Sequence, residues 1–479
     1  VLILLGALAF YFIRARRDGS VHQDKRHRFN VLLIAADAMR PDYLGCYGGE
    51  AATPNIDRLA GGGVLFENAY SVASWTAPSA VAIFTGNHPA AYGWAPYERT
   101  LKIYVPDGET LLAEALKEFG YRRAMRIENV QATLHNCLQG FSPLGTLADA
   151  RRAGSLEVSG FIAAITGRKR FNSYELMSCA SVLSYILGTP PGARFFLAYW
   201  MLDPHEPYQP PPKLLARIPV DETKLTRPLR FYSSRKNIKG PLNEEEEEFI
   251  RKLYIAEIES VDERVGFLVE ALRRRGIFDS TYVILTSDHG ERFGEHKGYG
   301  HGAFGRGAGF SETLIKVPLI ISGPDLPRGK RVRESAALID LMPTIKELLA
   351  VEYESDMQGR SLLRLIKSER EEERPVYLVS MQEQGRREAL IRRPYKLILR
   401  GNGQLELYDL DRDPGEREDI SSSHQDVVAA LSRLAARIRE ENRARRRANI
   451  EALEAGEKPL SSAERRELQK KLRALGYVE

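Results

Sequence analysis

Unbroken apolar runs that end on acidic or polar residues alternate along this chain with longer stretches in which apolar positions recur every three or four residues. The first run, Asn30-Val31-Leu32-Leu33-Ile34-Ala35-Ala36, ends at Asp37. A second, Ala193 to Asp203, leads into Asp203-Pro204-His205-Glu206-Pro207-Tyr208, and a third, Thr281 to Thr286, leads into Ser287-Asp288-His289-Gly290. Val317 to Ser322 is a fourth. Runs that are apolar at every position are buried on both faces, as strands of a parallel sheet are. Thr53-Pro54 opens a helix with a Thr cap and proline at the first position, and Glu109 to Phe119 reads as an amphipathic helix closed by Gly120. Asn243 and the acidic run Glu244 to Glu248 start a long helix whose apolar positions Leu253, Ile258, Val261, Val265, Leu268 and Leu272 keep helical spacing up to Gly276. Acids suit a first helical turn, so this run is helix start rather than a cation site.

Strand, polar residues, helix, repeated in this order, predicts an α/β fold with a doubly wound, mainly parallel sheet and helices on both faces. Past about Ala350 the rhythm changes. Val376 to Ser380, Glu388 to Ile391, Lys396 to Arg400 and Glu406 to Tyr408 are short strands with turn residues between them, expected to form a small antiparallel sheet. From Val427 the chain is helical and rich in Arg and Glu, a solvated face. The expected division is a membrane-anchor end and linker over 1–28, the α/β domain over 29–350, the antiparallel subdomain over 351–425 and a charged helical tail over 426–479.

Composition adds constraints. At 479 residues, 43% hydrophobic and 28% charged, the chain is globular in character, with room for one large domain and appendages. Its net charge of +5 is small for this length and gives no reason to expect a nucleic-acid partner. Cys46, Cys137 and Cys179 are too few and too scattered for a disulfide framework or a zinc knuckle. Val1 to Ile13 is apolar and is followed by Arg14-Ala15-Arg16-Arg17. A membrane span needs about 20 apolar residues, so this is read as the end of an anchor rather than a signal-peptide core, since no small-residue cleavage site follows. The expectation is a membrane-anchored protein whose α/β domain lies in the periplasm or outside the cell. Nothing in the pattern sets an oligomeric state.

In open α/β sheets ligands sit at the carboxyl ends of the strands, and there this chain places Asp37, Asp288 and His289. Between them in sequence, Ser74-Trp75-Thr76-Ala77-Pro78 precedes the apolar run Ala80 to Phe84 that ends at Gly86. Proline is favoured in a first helical turn, so Thr76 would lie at the mouth of a helix, where a nucleophilic oxygen or an oxyanion is well held. The same pattern is also an ordinary cap, and Asp288 and His289 in isolation read equally well as a cap and a surface residue. Together, two carboxylates, one imidazole and the Thr76 hydroxyl form a mixed O/N set for one divalent cation, with Zn²⁺, Mn²⁺, Mg²⁺ and Ca²⁺ as the choices. Such an ion would lower the pKa of the hydroxyl and polarise a phosphoryl or sulfuryl oxygen. His205 and His301 are candidate acids for the leaving group.

The combination resembles the sulfatase family of the alkaline phosphatase superfamily. The matching pieces, in order, are Asn30 to Gly48 (NVLLIAADAMRPDYLGCYG), Thr53 to Tyr70, Thr76 to Gly86, Asp203 to Tyr208 (DPHEPY), Ser287 to Gly302 (SDHGERFGEHKGYGHG), Val317 to Pro324, and Leu407-Tyr408-Asp409-Leu410 with Asp413-Pro414-Gly415-Glu416. They span residues 29 to about 420. The resemblance implies metal ligation by Asp37, Thr76, Asp288 and His289, a nucleophile at Thr76, and His205 and His301 facing the sulfate or phosphate of an anionic ester on a glycan, lipid or small molecule. Arg40, within the first piece, is either a ligand contact or a structural ion pair. Lys316 lies near a lysine with which some relatives hold the anion, but reads better as a solvated residue before a strand.

The departures bear on mechanism. Sulfatases carry Cys or Ser, converted to formylglycine, in a Cys/Ser-x-Pro-x-Arg signature, whereas this chain has Thr76 and, at the Arg position, Ala80. A second acid often follows the first metal Asp, and here Ala38 follows Asp37. The Gly-Lys-Trp-His-type loop that grips sulfate is replaced after Gly120 by Tyr121-Arg122-Arg123-Ala124-Met125-Arg126-Ile127-Glu128-Asn129. A formylglycine hydrate expels sulfate by collapsing to the aldehyde, but a threonine adduct has no second hydroxyl and must be cleared by attack at sulfur or phosphorus. Phosphothreonine intermediates of this kind occur in the superfamily's phosphatases, nucleotide pyrophosphatases and membrane-anchored phosphoethanolamine or glycerophosphate transferases. The expectation is a hydrolase of sulfate or phosphate esters working through a covalent Thr76 adduct, with phosphoryl chemistry favoured. The alternatives are such a transferase, or a relative that binds anions without turnover.

Overall fold

The computed structural model describes residues 29–92, 105–133, 136–144, 174–229, 232, 242–301, 309–380 and 387–456. The N-terminal apolar segment lies outside them. Among the described residues no helix is long and apolar enough to cross a membrane.

β1 (Asn30–Ala36) lies at the centre of a nine-stranded sheet, parallel to β5 (Arg194–Met201) on one side and β6 (Thr281–Ser287) on the other. β3 (Tyr121–Ile127) and the two-residue β4 (Ser142–Pro143) continue the parallel array beyond β5. Beyond β6 the sheet turns mixed. β8 (Leu319–Ser322) runs antiparallel to β6, and β2 (Val64–Tyr70) runs antiparallel to both β8 and the short β7 (Lys316–Val317), with β9 (Lys330–Ala337) parallel to β2. The fourth apolar run of the sequence is therefore two strand pieces. They meet at Pro318, which has no N–H to give a ladder.

Side chains of β1 alternate between two cores, Val31, Leu33 and Ala35 facing one and Leu32, Ile34 and Ala36 the other. The first core also holds residues of the helices Thr76–Thr85, Leu112–Glu118 and Leu341–Leu348, and the second those of Pro54–Gly61, Tyr174–Leu187 and Glu244–Arg274. This is the expected sandwich of a sheet between two helical layers. The long helix starts where its sequence indicates. The Asn243 side chain accepts from the Glu246 N–H at 2.8 Å while a Glu246 carboxylate oxygen accepts from the Asn243 N–H at 3.0 Å, a reciprocal capping box.

The helix read over Glu109 to Phe119 is shorter than expected. Its first turn is lost because Glu109 accepts from the Tyr92 hydroxyl at 2.6 Å and the Asn87 amide at 3.1 Å, holding it in the preceding loop. The second sheet is antiparallel, in the order β10 (Val376–Ser380), β11 (Arg387–Arg392), β12 (Tyr395–Leu399), β13 (Leu405–Asp409). The helix Gln425–Gly456 lays Leu431 and Ala435 onto it.

Candidate active site

Four separated parts of the sequence converge at the carboxyl ends of the parallel strands. Asp37 follows β1, Asp288 and His289 follow β6, Asn129 lies two residues past β3, and Thr76 is the first residue of its helix. All five are buried, and each carboxylate and imidazole among them is fully shielded from solvent. One ligand atom each from Asp37, Asp288 and His289 lies within 4.8 Å of the others.

The hydrogen bonds divide each carboxylate into a used and an unused oxygen. Asp37 Oδ2 accepts from Asn129 Nδ2 at 2.7 Å and from Trp200 Nε1 at 3.1 Å, whereas its Oδ1 has no hydrogen-bond partner among the described residues. Asp288 Oδ1 accepts from the backbone N–H groups of Ala38 and His289, both at 3.0 Å, and its Oδ2 likewise has none among them. Ala38, at the position where a second acid was looked for, thus serves Asp288 through its main chain, at a φ of 59°. The His289 Nδ1–H donates to the Gly290 carbonyl at 2.8 Å. This turns Nε2 toward the cluster, 3.3 Å from the orphan Asp288 oxygen, 3.6 Å from the orphan Asp37 oxygen and 3.4 Å from Thr76 Oγ1.

Two unsolvated carboxylate oxygens facing each other cost several kcal/mol if both are ionised and unpaired. Burial, and then the charge of Asp288, push the Asp37 carboxyl up to about 8, against the opposing pull of His289, Asn129 and Trp200. Two orphan carboxylate oxygens and an imidazole nitrogen within 4.8 Å of one another, with the Thr76 hydroxyl 3.4 Å from that nitrogen, are what a divalent cation would satisfy, so the residues fit the metal that the sequence led us to expect.

His205 and His301 stand beside this cluster. Their Nε2 atoms are 3.2 Å apart, and the ring centroids of His301 and His289 are separated by 4.2 Å. His301 Nδ1 donates to the Glu291 carboxylate at 3.1 Å, and Glu291 also accepts from the Tyr208 hydroxyl at 3.2 Å. His205 Nδ1 donates to the Glu206 carbonyl. With both Nδ1 atoms committed as donors, a hydrogen bond between the two Nε2 atoms requires one proton shared by the pair.

Two residues left open by the sequence are now placed. Arg40 pairs with Asp42 and Glu295, each at 2.6 Å, and donates to the Glu291 carbonyl at 2.9 Å, so its contacts are structural. Lys316 is not solvated but half-buried in β7, donating to Asn68 at 3.1 Å, with burial lowering its pKa. Ala80, standing where the family signature has Arg, is fully enclosed in the apolar core beside Val81 and Ile83. Asn129, Trp200 and Glu291 were not singled out from the sequence. For Asn129 a signal existed, a polar residue just past the end of a strand, but the three arginines of β3 disguised the strand.

The Sulfatase family profile matches residues 29–351, and that of the N-sulphoglucosamine sulphohydrolase C-terminal region matches residues 300–443. An arylsulfatase of Clostridium perfringens is 25% identical over 448 residues, covering 83% of this chain and 91% of its own. The phosphonate monoester hydrolase of Agrobacterium radiobacter superposes with a TM-score of 0.66 at 21% identity, covering 87% of this chain and 96% of its own. A protein solved in complex with its substrate D-glucosamine-2-N,6-O-disulfate superposes with a TM-score of 0.68 at 18% identity, covering 88% of this chain and 99% of its own. With a sheet between two helical layers, the converging strand ends and a profile match over two thirds of its length, the chain belongs to the sulfatase family, within the alkaline-phosphatase-like superfamily.

Proposed function

We propose that this protein is a metal-dependent hydrolase of anionic esters in which Thr76 is the nucleophile. The observation that carries the reading is the placement of Thr76 Oγ1 at a helix N-terminus, 3.4 Å from His289 Nε2, beside the orphan oxygens of Asp37 and Asp288. Asp37, Asp288, His289 and Thr76 would hold a divalent ion, which when bound would supply Lewis acidity toward the ester and the nucleophilic oxygen. An imidazole among so few oxygens suits Zn²⁺ or Mn²⁺ better than Ca²⁺, which takes six to eight oxygen ligands.

Thr76 Oγ1, its proton released to water, attacks the phosphorus or sulfur in line. The ester oxygen departs with the proton shared by His205 and His301. Water then attacks the adduct, returns a proton to the histidine pair and frees Thr76. Glu291 holds His301 in the tautomer with Nε2 toward the site, and the helix start offers N–H groups to the transferred anion. Because a threonine adduct has no aldehyde to collapse to, clearance rests on attack at the central atom, which favours phosphate esters over sulfate esters. The sulfatase relatives and the disulfated glucosamine bound by a structural neighbour support a sulfate ester on a sugar as the competing substrate.

The test is turnover of aryl phosphate, phosphodiester and sulfate substrates after chelation and reloading with Zn²⁺, Mn²⁺, Mg²⁺ or Ca²⁺. Thr76→Ala is expected to abolish turnover and the mass increment of a trapped adduct. Retained turnover in that variant would overturn the reading, and sulfate release far above phosphate release would reverse the substrate preference.

A further inference from the structure

Asn129 donates to both the first metal-type carboxylate and the Thr76 oxygen. Its Nδ2 donates to Asp37 Oδ2 at 2.7 Å and to Thr76 Oγ1 at 3.3 Å. The orientation of the amide is dictated, because its Oδ1 accepts from the Gln131 N–H at 2.9 Å and a flipped amide would set an oxygen against the Asp37 carboxylate. The strand end that carries it is pinned as well. Glu128, the preceding residue, has a fully buried side chain that accepts from the Leu202 N–H at 2.8 Å and the Tyr199 hydroxyl at 2.9 Å. The buried Arg264 guanidinium lies 3.7 Å from Glu128 and pairs on its other side with Asp203, two residues before His205. The segments that carry Asn129 and His205 thus meet at one buried cation on the long helix.

We infer that Asn129 is a catalytic residue: its amide holds the Thr76 oxygen in line and stabilises the negative charge on that oxygen when it attacks and again when it departs. This rests on the Thr76 reading above. In the first step the bond from Thr76 Oγ1 to phosphorus or sulfur forms and the ester bond breaks, the leaving oxygen taking the histidine proton. In the second, the bond from the attacking water forms, the bond to Oγ1 breaks, and the water's proton returns to the histidines. Oγ1 leaves as an anion in this second step, with no acid assigned to it, and there the amide N–H matters most. A donor fixed before reaction toward an oxygen that gains charge is the arrangement whose removal costs roughly a hundred- to a thousandfold in rate.

The experiment compares wild type, Asn129→Ala, Asn129→Leu and Thr76→Ala, each reloaded with Mn²⁺ and assayed with an aryl phosphate. Steady-state constants are read with metal content and the fraction of enzyme carrying the adduct after acid quench. Both Asn129 variants are expected to lose about a hundredfold or more in kcat with KM changed less than about threefold, metal content retained and the adduct fraction raised. Asn129→Leu keeps the size of the side chain without a donor or a charge and decides the matter if Asn129→Ala does not fold. A kcat within threefold of wild type, or a loss that follows loss of metal, overturns the inference while leaving Thr76 as nucleophile. A wild type that turns over no ester in the wider substrate set overturns both.

Discussion

Asp37 shows how a single side chain is shaped by what surrounds it. Its Oδ2 is held by Asn129 and Trp200 and its Oδ1 by no hydrogen bond from the described residues. With the carboxyl pushed up to about 8, the metal-free fold keeps a proton that an unfolded chain releases near pH 4. Between those values the folded state binds more protons than the unfolded one, so this group's contribution favours folding below about pH 4 and is lost as the pH rises through about 8. In chelated protein the melting temperature of wild type is therefore expected to fall relative to Asp37→Asn between pH 5 and pH 8, with the variant the more stable at pH 8. Scanning fluorimetry across that range checks it, and equal pH dependence in the two proteins would count against the orphan-oxygen account. Metal restored at pH 8 is expected to raise the wild type and leave the variant nearly unmoved.

At the scale of elements, the long helix is tied down in its first turn. Glu246 closes the capping box on Asn243 and also accepts from Thr226 and Tyr232, and its carboxyl is held down at about 2, hydrogen bonds from these groups outweighing the cost of burial. Asn243→Ala is expected to cost about 1 kcal/mol in urea unfolding, with activity retained. That helix was readable because acids, cap and apolar spacing agree. β1, β5 and β6 were readable because burial on both faces confines their polar residues to the strand ends, and the candidate ligands beyond those ends came with them. β2, β3 and β9 were not, since Glu67 in β2, the three arginines of β3 and Lys330, Arg331, Arg333 and Glu334 in β9 sit on faces that reach solvent. Missing β3 meant missing Asn129 beyond its end. The reversal of β8 was also illegible, because strand direction is set by how the chain returns to the sheet, and apolarity carries no direction.

For the whole molecule, the contact between the two sheets runs through a fully buried lysine. Lys396 on β12 donates to the Phe310 carbonyl at 2.6 Å and to Glu312 at 3.1 Å, and it pairs with Glu416. Glu312 and Phe310 belong to the segment that leads into β7, so the second sheet is locked to the first by charge as well as by the apolar cluster around Tyr70, Leu314 and Leu378. Lys396→Ala leaves two acids without their cation and is expected to destabilise the protein by about 3–5 kcal/mol. Lys396→Met combined with Glu312→Gln and Glu416→Gln should recover most of that loss, which denaturation midpoints would report.

The distance in sequence between Thr76 and the pair Asp288–His289 has a consequence for biosynthesis. A polypeptide leaves the ribosome amino end first, so Thr76, the proposed nucleophile, emerges more than two hundred residues ahead of Asp288 and His289. On the proposed mechanism the nascent protein would therefore stay chemically silent through most of translation, and would gain reactivity only once β6 has slotted in beside β1.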